Sequence, residues 1–201
     1  MQQKEPKIYY LKVAVLGDEN SGKHELFDKL TYLSHFSYTY QTMGCKIGVR
    51  SLFLKDEKLG DIIVEIIFWL IASTSIKKSL KAAYYNKSSA AIATFNLSDI
   101  KTFFSMQDLV YEFLLLTEKK SPIIIVGIDQ GMETFRRDLS LAGSLFASKL
   151  SIELGVDIPY LEINLDNTSS VIDTITNALI SVTFKRHVKI CGRKLSMRKK
   201  Y

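Results

Sequence analysis

The spacing of apolar positions changes several times along the chain, and each change marks an element. Tyr9 to Leu16 is apolar apart from Lys12 and predicts a buried strand, whereas Leu26, Leu30 and Leu33 fall at helical spacing within Glu25–Leu33. Ser34 to Gly44 fits neither period and predicts a long loop. Ile47–Leu54 and Ile62–Leu70 are rich in β-branched and aromatic residues and flank the turn Lys55–Gly60, so they predict a hairpin. Further on, Ser75–Asn86, Lys101–Thr117, Leu139–Leu154 and Ser170–Phe184 read as helices, the last capped by Ser169 or Ser170. Between them lie short apolar runs at Ala90–Phe95, Pro122–Gly127 and Pro159–Ile163. Continuous apolar runs of this length suit strands covered on both faces of a parallel sheet. Strands alternating with helices predict an α/β fold.

One stretch carries candidate chemistry. Gly17, Gly22 and Lys23 match a phosphate-binding P-loop, which is Gly, four free positions, Gly, Lys, then Ser or Thr. It lies between a predicted strand and a predicted helix, the context in which backbone N–H groups and a helix N-terminus attract an anion. Asn20 and Ser21 are candidate backbone contacts to phosphate, and Lys23 is the candidate contact to its outer oxygens. The last position is His24 instead of the hydroxyl that normally holds Mg²⁺. The alternative is a leftover turn whose Lys23 pairs with a carboxylate.

Composition narrows the class. A chain of 201 residues, 47% hydrophobic and 24% charged, suits one globular domain with a tail. The net charge is +6, but residues 185–201 hold eight Lys and Arg and no acid, which leaves −2 for the rest. This argues against a DNA-binding body and for a basic arm that attracts an anionic membrane, RNA or an acidic protein. The two cysteines, Cys45 and Cys191, have no metal-ligand spacing and form no disulfide framework. No apolar signal region or membrane-length run is present, so a cytoplasmic protein, or one peripheral to a membrane, is expected.

Several motifs together resemble the Ras superfamily of small GTPases, with a Rab-like character. These are Leu11–Asp18, Tyr40-Gln41-Thr42-Met43-Gly44 as a first switch, Ile67-Phe68-Trp69, Tyr84-Tyr85, and Phe95–Asp99. The resemblance covers residues 8–184, with an extension at 1–7 and a basic tail at 185–201. It implies a P-loop NTPase fold, a Ras-like G domain with a six-stranded, mostly parallel sheet flanked by five helices. It also implies GTP or GDP with Mg²⁺ as ligands, and an effector or scaffold protein on the switch face, with Tyr40 and Met43 as anchors. In this arrangement Thr42 could supply an oxygen to the metal, and His35 or Phe36 a ring to the base.

The same resemblance exposes substitutions. His24 is a poor substitute for an oxygen ligand of a hard cation. Leu70 stands where the family has the metal-supporting carboxylate, and Ser73 and Thr74 where it has the phosphate-sensing Gly and the water-orienting Gln. Ile128, Asp129 and Gly131 occupy the guanine-reading motif, with Asp129 two residues too early and Gly131 in place of the base-binding Asp. After Glu162, Ile163–Asp166 replaces the last motif. The expectation is a pseudo-GTPase that binds partners without hydrolysis and with no required cofactor. A weak GTP/GDP switch is the alternative. Lys77, Lys78 and Lys81 read as a solvated helix face or a partner surface.

Overall fold

The computed structural model describes residues 6–32, 40–42, 44–56, 60–72, 76–117, 121–131 and 136–184. Among them are seven strands and five helices. In chain order these are β1 Lys7–Leu16, α1 Lys23–Tyr32, β2 Tyr40–Thr42, β3 Cys45–Asp56, β4 Gly60–Ile71 and α2 Lys78–Tyr85. They continue with β5 Ala90–Asn96, α3 Ile100–Thr117, β6 Ile123–Asp129, α4 Arg136–Leu154, β7 Tyr160–Asn164 and α5 Thr168–Phe184. All strands join one sheet in the order β2-β3-β4-β1-β5-β6-β7. Pairing is parallel from β4 through β1, β5 and β6 to β7, and antiparallel for β2–β3 and β3–β4.

The six strands expected from periodicity are all present. The seventh, β2, corrects the reading of Ser34–Gly44 as wholly loop: Tyr40 pairs with Ile47 and Thr42 with Cys45. Three polar and aromatic residues show no alternation, so only the neighbouring strand reveals this one. The hairpin is also longer than expected, because pairing runs on to Asp56↔Gly60. The cap of α5 is corrected too. Asn167, not Ser169 or Ser170, accepts the Ser170 N–H on its Oδ1 at 3.1 Å, and its carbonyl accepts from Val171 N–H at 3.0 Å.

Alternation along β1 and β4 divides the core between two faces. Val13, Val15, Phe68 and Leu70 face α1 and α5, where Leu26, Phe27, Ile175 and Leu179 are buried. Ala14, Leu16, Ala91 and Ala93 face the other side, against Phe103, Met106 and Phe113 of α3 and Phe146 and Leu150 of α4. The small residues on this second face leave room for aromatic side chains from the helices; Phe95 meets Phe103 edge-on at 5.2 Å.

β1 lies between β4 and β5, and the crossovers after β1 and β5 go to opposite faces. The crevice outside the carboxyl ends of such strands is where ligands bind in open α/β sheets. The loop after β1 and the turn after β6 both open there.

Candidate functional site

The loop after β1 is held from beneath by hydroxyls. Ser21 Oγ donates to the Asp18 carbonyl at 2.6 Å and lies 2.9 Å from Thr94 Oγ1, which donates to the Leu16 carbonyl at 3.0 Å. A Cβ at Gly17, whose φ is +155°, would lie 2.3 Å from both of these hydroxyl oxygens. Glycine is therefore required there by close packing as well as by backbone angle. Two N–H groups of the loop turn inward on Asp18: Asn20 N–H donates to its Oδ1 at 3.1 Å and Ser21 N–H to its carbonyl at 3.1 Å. Thr94, on β5, went unnoticed in the sequence because nothing in its own strand marks it.

Lys23, the first residue of α1, is fully buried. Its Nζ donates to Glu19 Oε1 at 3.0 Å and to the Ile71 carbonyl at 3.4 Å. The second carboxylate oxygen of Glu19 lies 2.8 Å from His24 Nε2. Glu19, inside the loop, thus bridges two of the candidate phosphate-binding residues, Lys23 and His24, the latter standing where the family has its metal-binding hydroxyl. Its spacing of four from Lys23 and five from His24 was a visible signal. A buried ammonium needs a counter-charge and hydrogen bonds, because desolvation without them costs several kcal/mol, on the order of the penalty for any buried ion.

The β6 end is organised differently. Ile128 is fully buried. Its side chain packs on Gly22, where a Cβ would lie 2.9 Å from Ile128 Cδ1. Asp129 accepts the Gly131 N–H on Oδ1 at 3.0 Å, and its Oδ2 pairs with Arg136 Nη1 at 3.1 Å. It serves its own turn and the start of α4. Gln130 Oε1 accepts from Asn96 Nδ2 at 2.8 Å, which ties the end of β5 to the turn. Gly131 has φ +83°, and among the described residues nothing lies within 4 Å of where a Cβ would sit on it. On β7, Glu162 accepts from Tyr160 OH at 3.0 Å and from Ser140 Oγ. Burial first, then the Glu162 charge and hydrogen bond, push the Tyr160 phenol upward.

The third group lies at the β3–β4 edge. Leu70 is buried in the same core cluster as Val13, Val15 and Phe27. Ala72 N–H donates to the Gly44 carbonyl at 2.9 Å, and Ile76 packs on the Gly44 Cα. Thr42 and Tyr40 are placed by backbone pairing on β2. Met43, Ser73, Thr74, His35 and Phe36 lie outside the described residues.

The helix expected to expose three lysines is corrected in one respect. Lys77 is exposed, but Lys81 is buried and pairs with Glu112 of α3 at 2.9 Å. Tyr85, packed edge-on to Phe113 at 5.2 Å, is pushed upward by burial and by the Glu112 charge. Lys12 donates to the Asn86 carbonyl at 2.8 Å while lying 4.0 Å over the Trp69 ring, which in turn meets Tyr84 at 6.0 Å. α2 is therefore fastened to α3, β1 and β4.

At the positions where the family pattern places its ligand contacts, the described residues are His24 at the start of α1, the buried Leu70, Gly131 in the turn after β6, and Lys23 with Glu19 beside it. Among the described residues, no group of three or more His, Cys, Asp or Glu could hold a metal ion.

Strand, glycine loop, helix and switch-point crevice define a P-loop fold of the G-domain class. The family model for the Ras of Complex, Roc, domain of DAPkinase matches residues 12–130. The chain belongs to the Ras superfamily of GTPase domains, with relatives of the Rab type. It is similar to the Ypt/Rab-type GTPase ypt71 of Schizosaccharomyces pombe, 30% identical over 142 residues, which covers 69% of this chain and 66% of that one. It is also similar to the Ras-related protein Rab-11B of Dictyostelium discoideum, 21% identical over 177 residues (88% and 77%). With the Ypt/Rab-type GTPase Rab7 of Gibberella zeae it shares 25% over 178 residues (83% and 82%).

Proposed function

We propose that this Rab-like domain works as a protein-interaction module whose docking face does not depend on nucleotide. The observation that carries this reading is Ile128, fully buried and packed on Gly22 of the loop. An apolar side chain there supplies neither a donor nor an acceptor to a base, and an unmet polar group in a buried site is costly. Leu70 makes the same exchange at the metal side.

The docking face is the switch region, residues 34–47 with 74–85. Its fastening supports a single standing conformation: Gly44 to Ala72, Lys81 to Glu112 and Lys12 to Asn86. The partner is an effector or scaffold protein. The basic stretch 185–201 adds a salt-sensitive attraction to anionic membrane or an acidic partner. No helix among the described residues is long and apolar enough to cross a membrane.

The second reading, a GTP/GDP switch with weak or assisted hydrolysis, draws on the retained Gly17, Gly22 and Lys23 and on the place of Thr42 on β2. Mg²⁺-dependent GTP turnover separates the two. The interaction reading expects no turnover above buffer and no change in Lys23→Ala. Turnover in the natural chain that Lys23→Ala abolishes overturns it.

A further inference from the structure

The loop after β1 keeps its lysine but turns it on a carboxylate of its own. Lys23 is fully buried, so water supplies none of its hydrogen bonds, and two of its three donors are directed at Glu19 Oε1 and the Ile71 carbonyl. The other Glu19 oxygen meets His24 Nε2 at 2.8 Å. The Glu19 side chain itself is 53% exposed. One end of the pair is thus sealed in the fold while the other faces the crevice.

We propose that Glu19 is a tethered competing anion: it neutralises Lys23 and excludes phosphate-type ligands from the loop. The inference rests on the reading of the domain as nucleotide-independent and supplies the device that makes its loop so. Two features of the geometry support it. Both carboxylate oxygens are committed to basic groups of the loop, so an incoming polyphosphate meets a negative charge where the family offers a positive one. Asn20 and Ser21, whose N–H groups would otherwise be available to an anion, bond to Asp18 instead. The carboxylate is held at an effective concentration that no dilute free anion matches, because the loop that carries it is pinned through Ser21 and Thr94. Charge, not shape, does the excluding, since the glutamate end remains at the surface and can be replaced without opening the core.

The test uses the full chain and inorganic tripolyphosphate as the probe, titrated by calorimetry in metal-free buffer. Glu19→Gln keeps the size and removes the charge; Glu19→Ser removes both, and melting curves check that each is folded. The expected result is tripolyphosphate binding about 10-fold or more tighter in both variants than in the natural chain. Adding Lys23→Met to Glu19→Gln is expected to remove that gain. Equal affinity in the natural chain and the Glu19 variants overturns the proposal, as does a gain that survives Lys23→Met. The two readings fail separately. Guanine nucleotide carried by the purified natural chain contradicts nucleotide independence whichever way Glu19 behaves. An unchanged tripolyphosphate affinity contradicts the role of Glu19 whatever the chain carries.

Discussion

At the loop after β1 the charged residue of the family is still present and has an internal partner. At the turn after β6 the polar residues of the family are gone, and an apolar side chain fills the space. The two regions touch, through Gly22 and Ile128, yet they differ from the family pattern in different ways. The difference follows from what each side chain does for the fold. Lys23 begins α1 with its stem wholly enclosed. Its ammonium is satisfied by Glu19, which leaves the stem in place as packing. The residue at 128 is next to last in β6, whose preceding side chains are all buried, so isoleucine there simply extends the core. A charge enclosed in the fold is paired, and a polar group at the rim of a core is replaced.

That contrast can be broken most forcefully at Gly17. A methyl group there meets Ser21 Oγ and Thr94 Oγ1 at 2.3 Å, so Gly17→Ala is expected to destabilise by about 3 kcal/mol, combining overpacking with backbone strain. Urea denaturation reads the loss, and a neutral result contradicts the described loop. Next comes Ile128→Asn, which puts a smaller, polar side chain in the same buried place. It buries an amide against Gly22, and the expected cost is about 2 kcal/mol. A stabilising effect, or one that appears only when GTP is added, would show that the turn still reads a base.

On the loop side, Glu19→Gln is expected to cost only about 1 kcal/mol, because the carboxylate is half exposed and the amide oxygen can still accept from Lys23. A loss as large as that of Gly17→Ala would make Glu19 a pillar of the fold instead of a counter-charge. The smallest effect lies at the edge of β3. Burial pushes the Cys45 thiol from 9.0 up to about 12, against the opposing influence of Lys12. Its proton is held more tightly in the folded chain than in the unfolded one. The stability this contributes is present below pH 9.0 and is lost as pH climbs towards 12. Iodoacetamide at pH 8 should therefore label Cys45 slowly in the folded protein and readily in urea, as mass spectrometry of the peptide would show. Equal labelling would mean that the edge beside Gly44 is open.

The strand–loop–helix at the start of the chain was legible because its signals are local: an apolar run, two glycines and a helical spacing. β6 and α3 were legible for the same reason. β2 was not, because three residues without alternation become a strand only when Cys45–Ile47 lies beside them. Lys81 looked like part of a charged, solvated face. Its partner Glu112 is 31 residues away, and sequence spacing says nothing about contacts between helices. The substitutions at His24, Leu70, Ile128 and Gly131 could be read one by one against the family pattern. The answer to them, a carboxylate at Glu19 that takes up Lys23 and His24, was within the loop's own sequence. Pairing of Lys23 with a carboxylate was one of the two sequence readings, but Glu19 was not named as that carboxylate, because free positions of a motif are treated as carrying no information. Asp129 was seen to be out of place, but its commitment to Gly131 and Arg136 needed the turn to be drawn.

The central claim is that the domain keeps the Ras-like fold without depending on a nucleotide. The most direct measurement is to denature the purified protein and chromatograph the supernatant for released nucleotide. The expected result is no guanine nucleotide above the level from a control protein of unrelated fold. Guanine nucleotide at about one per chain, the stoichiometry of a single high-affinity site, would contradict it.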